Sequence, residues 1–570
     1  MKSEMQMPIN AKMIVHSVVE LYDSTKREIA NILRSNRIRP ASSFAVVADF
    51  WSCKVTKDKF LGLRLYLVDE AFTFRSFLLG TRHFKPGYEE REGGIRAPFR
   101  SWIKAILADF DVAESDLFGA TTDGDPDVKH MMQETLGLQW EWCIPHLTNA
   151  ATKMACGESS GLDNPDMQEL VTKLKRTVFS TNAVEVVGSL FTDLCSVLNP
   201  GSKAKNLLQF EAHRFMGLTR VIARALEKWE VLVSWYEERR NKSFRDNEEP
   251  DSFPLDGHKL DLEHLLSLFN PITILNRKSQ AEDANQVETN FFSRYTDQAK
   301  ITQRPFIFEC QMMLHPRLKN LETLSNVARI SNQHLGRQFA DANRIAGEVC
   351  QQVKRHVREI MLSVVSEQGH DQQATQPEPQ PEHFQFASAP TSVFSEELSD
   401  LYEAAPVIDP VVAREDPVDA ELRKWMTDTS TLTAKPDGTC ETLLEFWRRQ
   451  KESHSYCIIP KAVRLLFSVP TSSAQIERDF GVSGMMVASL RGSTAPHNVD
   501  MCSFLNRNRK IVDVCQTPKI AKADIESHIP SNVVVTLDND NLAHFLASFD
   551  TDFSAMENQF SQTSIETENM

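Results

Sequence analysis

The sequence predicts an α/β core on a mixed five-stranded sheet, interrupted by a large all-α insertion. Three observations carry this expectation. Between Phe44 and Ile144 the hydrophobic period is that of strands, broken twice by helical spacing. From about residue 150 to 365 no strand-period segment stands out, and apolar residues recur at three and four. Helical patterns then resume beyond a polar stretch. The composition is ordinary for a globular chain, with 41% apolar and 25% charged residues among 570. That length suffices for several domains and a sizeable core.

Residues 1–40 read as an N-terminal helical segment. Ile14, Val18, Leu21, Tyr22, Ile29, Ile32 and Leu33 share one face, and Pro40 stops the pattern. The span 41–150 supplies the first part of the core. Its strands are Phe44–Phe50, Lys59–Val68 and Phe72–Leu79, the last two joined by a tight hairpin at Asp69-Glu70. A helix around Phe99–Phe110 follows, then a strand at Leu117–Thr122, a short helix near Val128–Leu136 and a strand at Trp140–Ile144. The span 151–366 is the helical insertion. Residues 367–418, rich in Gln, Pro and Glu, form a disordered linker that cannot bury enough surface to order itself. Helices return in 419–515, at Asp419–Met426, Cys440–Lys451 and Pro460–Phe467. A capping box at Ser472-Ser473-Ala474-Gln475 opens the next helix and places Glu477 in its second turn. Residues 516–570 form an acidic tail with no Lys or Arg from Ala523 onward.

Composition excludes several classes. No apolar run is long enough to span a membrane, and the N-terminus lacks the apolar region of a secretory signal. The ten cysteines form no CxxC, which argues against a disulfide scaffold and a CxxC zinc finger. A net charge of −15 argues against wholesale nucleic-acid binding, but basic clusters at Lys26–Arg39, Arg214–Arg245 and Arg507–Lys522 leave room for local basic surfaces.

Three antiparallel strands, a helix, a strand, a helix and a strand is the element order of the ribonuclease-H-like fold. Its first and fourth strands are parallel neighbours, and ligands bind outside strand carboxyl ends at such a switch point. Asp49 in the first strand and Asp123 just past the fourth thereby approach each other. Adjacent carboxylates repel unless a hard divalent cation neutralises them. An Asp in Asp-Gly is also a common turn former, so Asp123, Asp125 and Asp127 stay open on this ground alone. Asp49, inside an apolar strand, needs a partner.

Several landmarks then resemble those of the hAT superfamily of DNA transposases, in the family's order. Asp49-Phe50-Trp51-Ser52 resembles the motif around the first catalytic acid, Thr122-Asp123 that of the second, and Cys143-Ile144-Pro145-His146 the C-x-x-H that follows. His213-Arg214-Phe215 falls where the family has Arg-Trp, and Leu314-His315-Pro316-Arg317-Leu318-Lys319 resembles a segment of its helical insertion. Leu443-Leu444-Glu445-Phe446-Trp447, the Val469–Phe480 segment and Asn498-Val499-Asp500-Met501 resemble the hAT C-terminal dimerisation region.

The resemblance implies a catalytic triad of Asp49, Asp123 and Glu477 binding two Mg²⁺ or Mn²⁺ ions, with Trp51, Cys143, His146 and Arg478 beside the acids. It implies metal-dependent phosphodiester hydrolysis and strand transfer, DNA and a homodimer or higher homo-oligomer as partners, and the nucleus as location. Arg214, Phe215 and Arg220, on a basic helix that also holds Trp229 and Trp235, would face DNA; a solvated basic face over an ordinary core is the alternative. The family's N-terminal BED-type finger has no paired cysteines and histidines here, so it is expected to be truncated or lost. Gly481 stands where the family prefers Ser. A domesticated or decayed, non-catalytic dimerising protein that binds DNA or chromatin is the second reading. Cys143 and His146 are only two ligands, short of the four that structural zinc takes. Leu542–Phe553 reads as an acidic-hydrophobic interaction segment or an unstructured tail.

Overall fold

The computed structural model describes residues 11–53, 57–86, 96–156, 164–182, 185–202, 205–208, 217–250, 252–279, 295, 301, 305–365, 410–487, 495–513 and 517–530. Of the linker expected over 367–418, residues 367–409 lie outside the described residues, whereas 410–418 is helical, the start of the helix Pro410–Thr427, and not linker; the tail beyond 530 also lies outside the described residues. So do Arg214 and Phe215.

Five strands, β1 (Phe44–Ser52), β2 (Lys59–Val68), β3 (Phe74–His83), β4 (Leu117–Thr122) and β5 (Gln139–Trp142), form one mixed sheet of order β3-β2-β1-β4-β5. The β1–β2 and β2–β3 pairs are antiparallel, and β1–β4 and β4–β5 are parallel. This sheet, followed by many helices, is consistent with a ribonuclease-H-like α/β core. The expected limits of β2 and β4 coincide with the observed ones. β3 starts and ends later than expected because Asp69-Glu70 is no two-residue turn. Residues 69–73 form a longer loop in which the Asp69 carboxylate accepts from the Thr73 N–H at 2.8 Å, with Phe72 at φ 57°.

Strand alternation sends successive residues of β1 to different cores. Phe44, Val46 and Ala48 pack with Leu61, Leu63, Leu65, Phe99, Trp102 and Ile106 beneath α1 (Ala11–Ser35) and α2 (Arg96–Ala108). Ala45 and Val47 face the opposite side, where a larger core joins the sheet to later helices. By the same alternation Asp49 and Trp51 point to that second face. Past β4 come the short α3 (Pro126–His130) and then α4 (Ile144–Ala155).

The helices α5 (Pro165–Asn182), α6 (Glu185–Leu198), α7 (Gly217–Glu227), α8 (Trp229–Asp246) and α9 (Lys259–Ser279) share a separate apolar cluster that includes Leu174, Ile222, Leu232 and Trp235. The basic stretch expected as one helix is therefore two, broken at Lys228. Trp229 and Trp235 are buried in that cluster, and Arg239 lies over the Trp235 ring. Around Trp229 and Trp235 the ordinary core is the better description.

Helices α10 (Ile307–Met313), α11 (Glu322–His334) and α12 (Phe339–Val365) pack against the C-terminal α13 (Pro410–Thr427), α14 (Leu443–Glu452) and α15 (Ile459–Leu466). The Leu314–Lys319 motif ties these layers together. The indole N–H of Trp447 donates to the Leu314 carbonyl at 3.0 Å, and that of Trp425 to Met313 at 2.9 Å. Buried Lys319 donates to the Trp425 carbonyl at 2.8 Å and lies over that residue's ring. α14 opens on a capping box, Thr442 with Glu445, which the sequence displays as T-x-x-E.

The last helices are α16 (Ala474–Met486) and α17 (Pro496–Arg507). β3 is an edge strand, and α17 covers its open side with two polar side chains. Asp500 accepts from the Thr81 N–H at 2.6 Å, and Asn508 bonds both the N–H and the C=O of Leu78. Backbone groups that would invite another strand are thereby satisfied. Among the described residues no helix is long and apolar enough to cross a membrane.

Candidate active site

The segment Val469–Ser473 carries α16 onto the carboxyl end of the parallel strands. The Thr121 hydroxyl donates to the Pro470 carbonyl at 2.5 Å, the Ile144 N–H donates to Thr471 at 3.0 Å, and the Ser473 N–H donates to the Cys143 thiol sulfur at 3.3 Å. Two glycines admit this approach. A Cβ at Gly119 would meet Val469 at 2.7 Å, and one at Gly62 would meet Ile476 and Phe480 at 2.7 Å. Gly62 pairs with Asp49 across the β1–β2 ladder. The missing side chain at Gly62 therefore lets α16 settle beside Asp49.

Trp51 supports the helix from below. Its ring stacks on Phe480 at a centroid distance of 6.1 Å and packs on Phe60 at 5.3 Å. The expected capping box at the start of α16 does not form. Ser473 makes no side-chain cap, the Ser472 hydroxyl accepts from the Ala474 N–H, and the Gln475 amide donates to Asp479. Glu477 accordingly lies in the first turn, not the second.

Asp49, Asp123 and Glu477 are each half-buried. Burial raises the Asp49 carboxyl well above the usual range, and the carboxylates of Asp123 and Glu477 raise it further. Burial also raises Asp123, and burial with the Asp123 charge raises Glu477. Three acids from β1, the end of β4 and α16 thus act on one another. His146, two residues into α4, offsets them: its Nε2 lies 3.7 Å from Glu477 Oε1. Burial opposes its positive charge, but Cys143, Glu477 and Asp123 outweigh burial and push the imidazole up to about 10. In return His146 draws the buried Cys143 thiol down.

The three neighbouring aspartates have separate tasks. Asp125 caps α3 by accepting from the Asp127 and Val128 N–H groups at 2.9 and 3.0 Å. Asp127 pairs with Arg96 at 3.3 Å. Among the described residues the Asp123 carboxylate accepts a long bond, 3.3 Å, from the Asp125 N–H. A Cβ at Gly124 would meet the Trp142 ring at 2.7 Å, so this glycine serves close packing. Arg478 is exposed on α16 and donates to Gln475. Arg220 is exposed on α7, and no hydrogen bond or ion pair among the described residues joins it to the acids.

The donor set suits a hard divalent cation. It offers carboxylate oxygens alone, and Glu477 Oε1 is buried without a hydrogen bond. The side chains as placed do not close around an ion: among the described residues no group of three or more His, Cys, Asp or Glu is arranged to hold one. Sequence reasoning overlooked Gly62 and Thr121, which position α16. Only the Gly in an apolar strand hinted at a close approach.

No curated protein matches the chain. Residues 421–509, which span the last turns of α13 and all of α14 to α17, match the model of the hAT family C-terminal dimerisation region. The C-terminal helices that bring Glu477 to the sheet thus match a hAT dimerisation region, which is consistent with a hAT transposase-related protein.

Proposed function

We propose that this chain is a hAT-type transposase-like protein that homodimerises, binds DNA in the nucleus and performs metal-dependent strand cleavage and transfer. On this reading the ribonuclease-H-like core is split by the helices between α4 and α13, and 419–515 completes it. Asp49, Asp123 and Glu477 would hold two Mg²⁺ or Mn²⁺ ions. Such ions, when bound, stabilise charge on the attacking and leaving oxygens of an in-line phosphodiester displacement. His146 restrains Glu477 and offsets its charge. Trp51 fixes the height of α16 above β1, which sets where Glu477 stands relative to Asp49.

The single observation that carries the reading is that α16 lies over Gly62, the cross-strand neighbour of Asp49, while the segment leading into it is tied through Thr121 to the end of β4, next to Asp123. The match of 421–509 to a dimerisation region also supports a second reading, a non-catalytic dimerising DNA-binding protein. The two separate in a nicking assay. Full-length protein with Mg²⁺ or Mn²⁺ is expected to nick a duplex carrying the element's terminal inverted repeats, and Asp49→Asn or Glu477→Gln to abolish nicking. A wild-type chain that binds such a duplex and never nicks it establishes the non-catalytic role. Light scattering on the same sample reads the dimer mass.

A further inference from the structure

A second site lies on the other flank of α16. A cavity of about 660 Å³ opens between the start of β3, the N-terminal half of α16 and the segment after α17. Arg64, Arg75, Arg478, Arg507, Arg509 and Lys510 line it, and no Asp or Glu does. This concentration of cations stands out in a chain of net charge −15.

The floor is built. Arg64 is buried in β2 and held by fully buried Asp479 at 2.9 Å, and its Nη1 donates to the Ser76 hydroxyl at 2.7 Å. Arg507 pairs with the same Asp479 at 2.9 Å and donates to the Arg478 carbonyl. Arg75 pairs with Asp69 at 2.5 Å. Asn508, bonded to both backbone groups of Leu78, pins the following residues to the edge of the sheet. Arg509 and Lys510 come next, exposed, with no ion pair to any described residue.

We infer that this cavity is a phosphate-backbone subsite that grips DNA beside the acidic site. Guanidinium forks recognise phosphate oxygens in a bidentate manner, and several fixed ones recognise successive phosphates better than a lone anion. The position agrees. Arg478 on its rim follows Glu477 directly in α16, so a strand whose phosphate lies at the acids has neighbouring phosphates within reach of the cavity. A local basic surface on an acidic protein also steers a polyanion to this place. The choice of DNA as the polyanion rests on the reading proposed above; the charge and shape of the cavity do not.

Fluorescence anisotropy of the full chain with a labelled duplex, without divalent ions and over a salt series, tests it. Arg509→Glu/Lys510→Glu is expected to weaken duplex binding about ten-fold or more and to flatten the slope of log K against log salt by about two. Lys354→Glu/Arg355→Glu, an equal charge change at exposed positions of α12 outside the cavity, controls for net charge. Equal affinity and slope for wild type and the Arg509/Lys510 variant overturns the inference, as does an equal loss in the control. Displacement of the duplex by inorganic phosphate, where chloride of matched ionic strength has no effect, would make this a small-anion site instead. Tighter binding of polyglutamate than of duplex would assign it to an acidic protein partner. Binding that persists in a chain unable to nick supports the subsite while removing the nuclease reading; nicking with unaltered binding by the variant does the reverse.

Discussion

Asp49 is held where its charge is unfavourable. Burial and two neighbouring carboxylates oppose its ionisation, and His146 offsets only part of this. A neutral isostere removes the repulsion while keeping the shape and the acceptor for the Phe50 N–H. Asp49→Asn is therefore expected to raise Tm at neutral pH in a chelator by about 2 °C or more. Added Mg²⁺ should raise the wild-type Tm and leave the variant nearly unchanged. An unchanged or lowered Tm for the variant would show that the acids do not strain one another. The same scale explains why the residue pattern, without the family resemblance, left Asp123, Asp125 and Asp127 open. Asp125 is spent as a helix cap and Asp127 on Arg96, and neither fact is visible without coordinates.

At the scale of elements, α14 has the most explicit sequence signal among the C-terminal helices. Thr442 and Glu445 cap each other, and Lys435 pairs with Glu445 at 2.8 Å. The bonds from Lys435 and from the Thr442 N–H hold the Glu445 carboxyl at about 2, below its usual value. A carboxyl lowered in the folded state stabilises fully above its unfolded value near 4.5 and loses that contribution as pH falls toward 2. Acid should thus loosen the start of α14 in that window, and Thr442→Ala should cost about 1 kcal/mol at neutral pH. Chemical denaturation at pH 7 and pH 3 measures both; a Thr442→Ala cost that does not shrink at the lower pH contradicts the linkage. The helix bearing Glu477 has no such cap. Its start is set by the bonds from Thr121, Ile144 and Ser473, all tertiary.

Across the whole molecule, the dimerisation region is also interior. Trp425, Phe446, Trp447, Val463 and Leu466 belong to the same core as Ala45 and Val47 of β1. Asp500 and Asn508 cover the edge of β3. Removing 421–509 therefore exposes both a sheet face and a sheet edge. The truncated chain is expected to lose cooperative thermal unfolding and to bind a hydrophobic dye, not to persist as a folded monomer. A truncated chain that unfolds cooperatively near the wild-type Tm would refute this. On the proposed reading, dimer contacts and active-site support would be inseparable, because one set of helices would serve both.

What the amino-acid order settled by itself is local. Period-two runs marked β2 and β4 to the residue. The order of strands alone placed Asp49 and Asp123 at one end of the sheet, since parallel pairing of β1 with β4 leaves no other arrangement. Short motifs pointed to Glu477 and to the dimerisation region, but only as a resemblance. Tertiary structure decided the rest. It showed that the Leu314–Lys319 motif is a clamp for two tryptophans, that the basic stretch after 217 is two helices over a core, and that Gly62 is empty so that α16 can approach. It also gathered Arg64, Arg478 and Arg509 into one cavity from β2, α16 and the segment after α17. The reason is physical: periodicity encodes which face of an element is apolar, whereas a site is made by side chains whose meeting depends on how those faces are stacked.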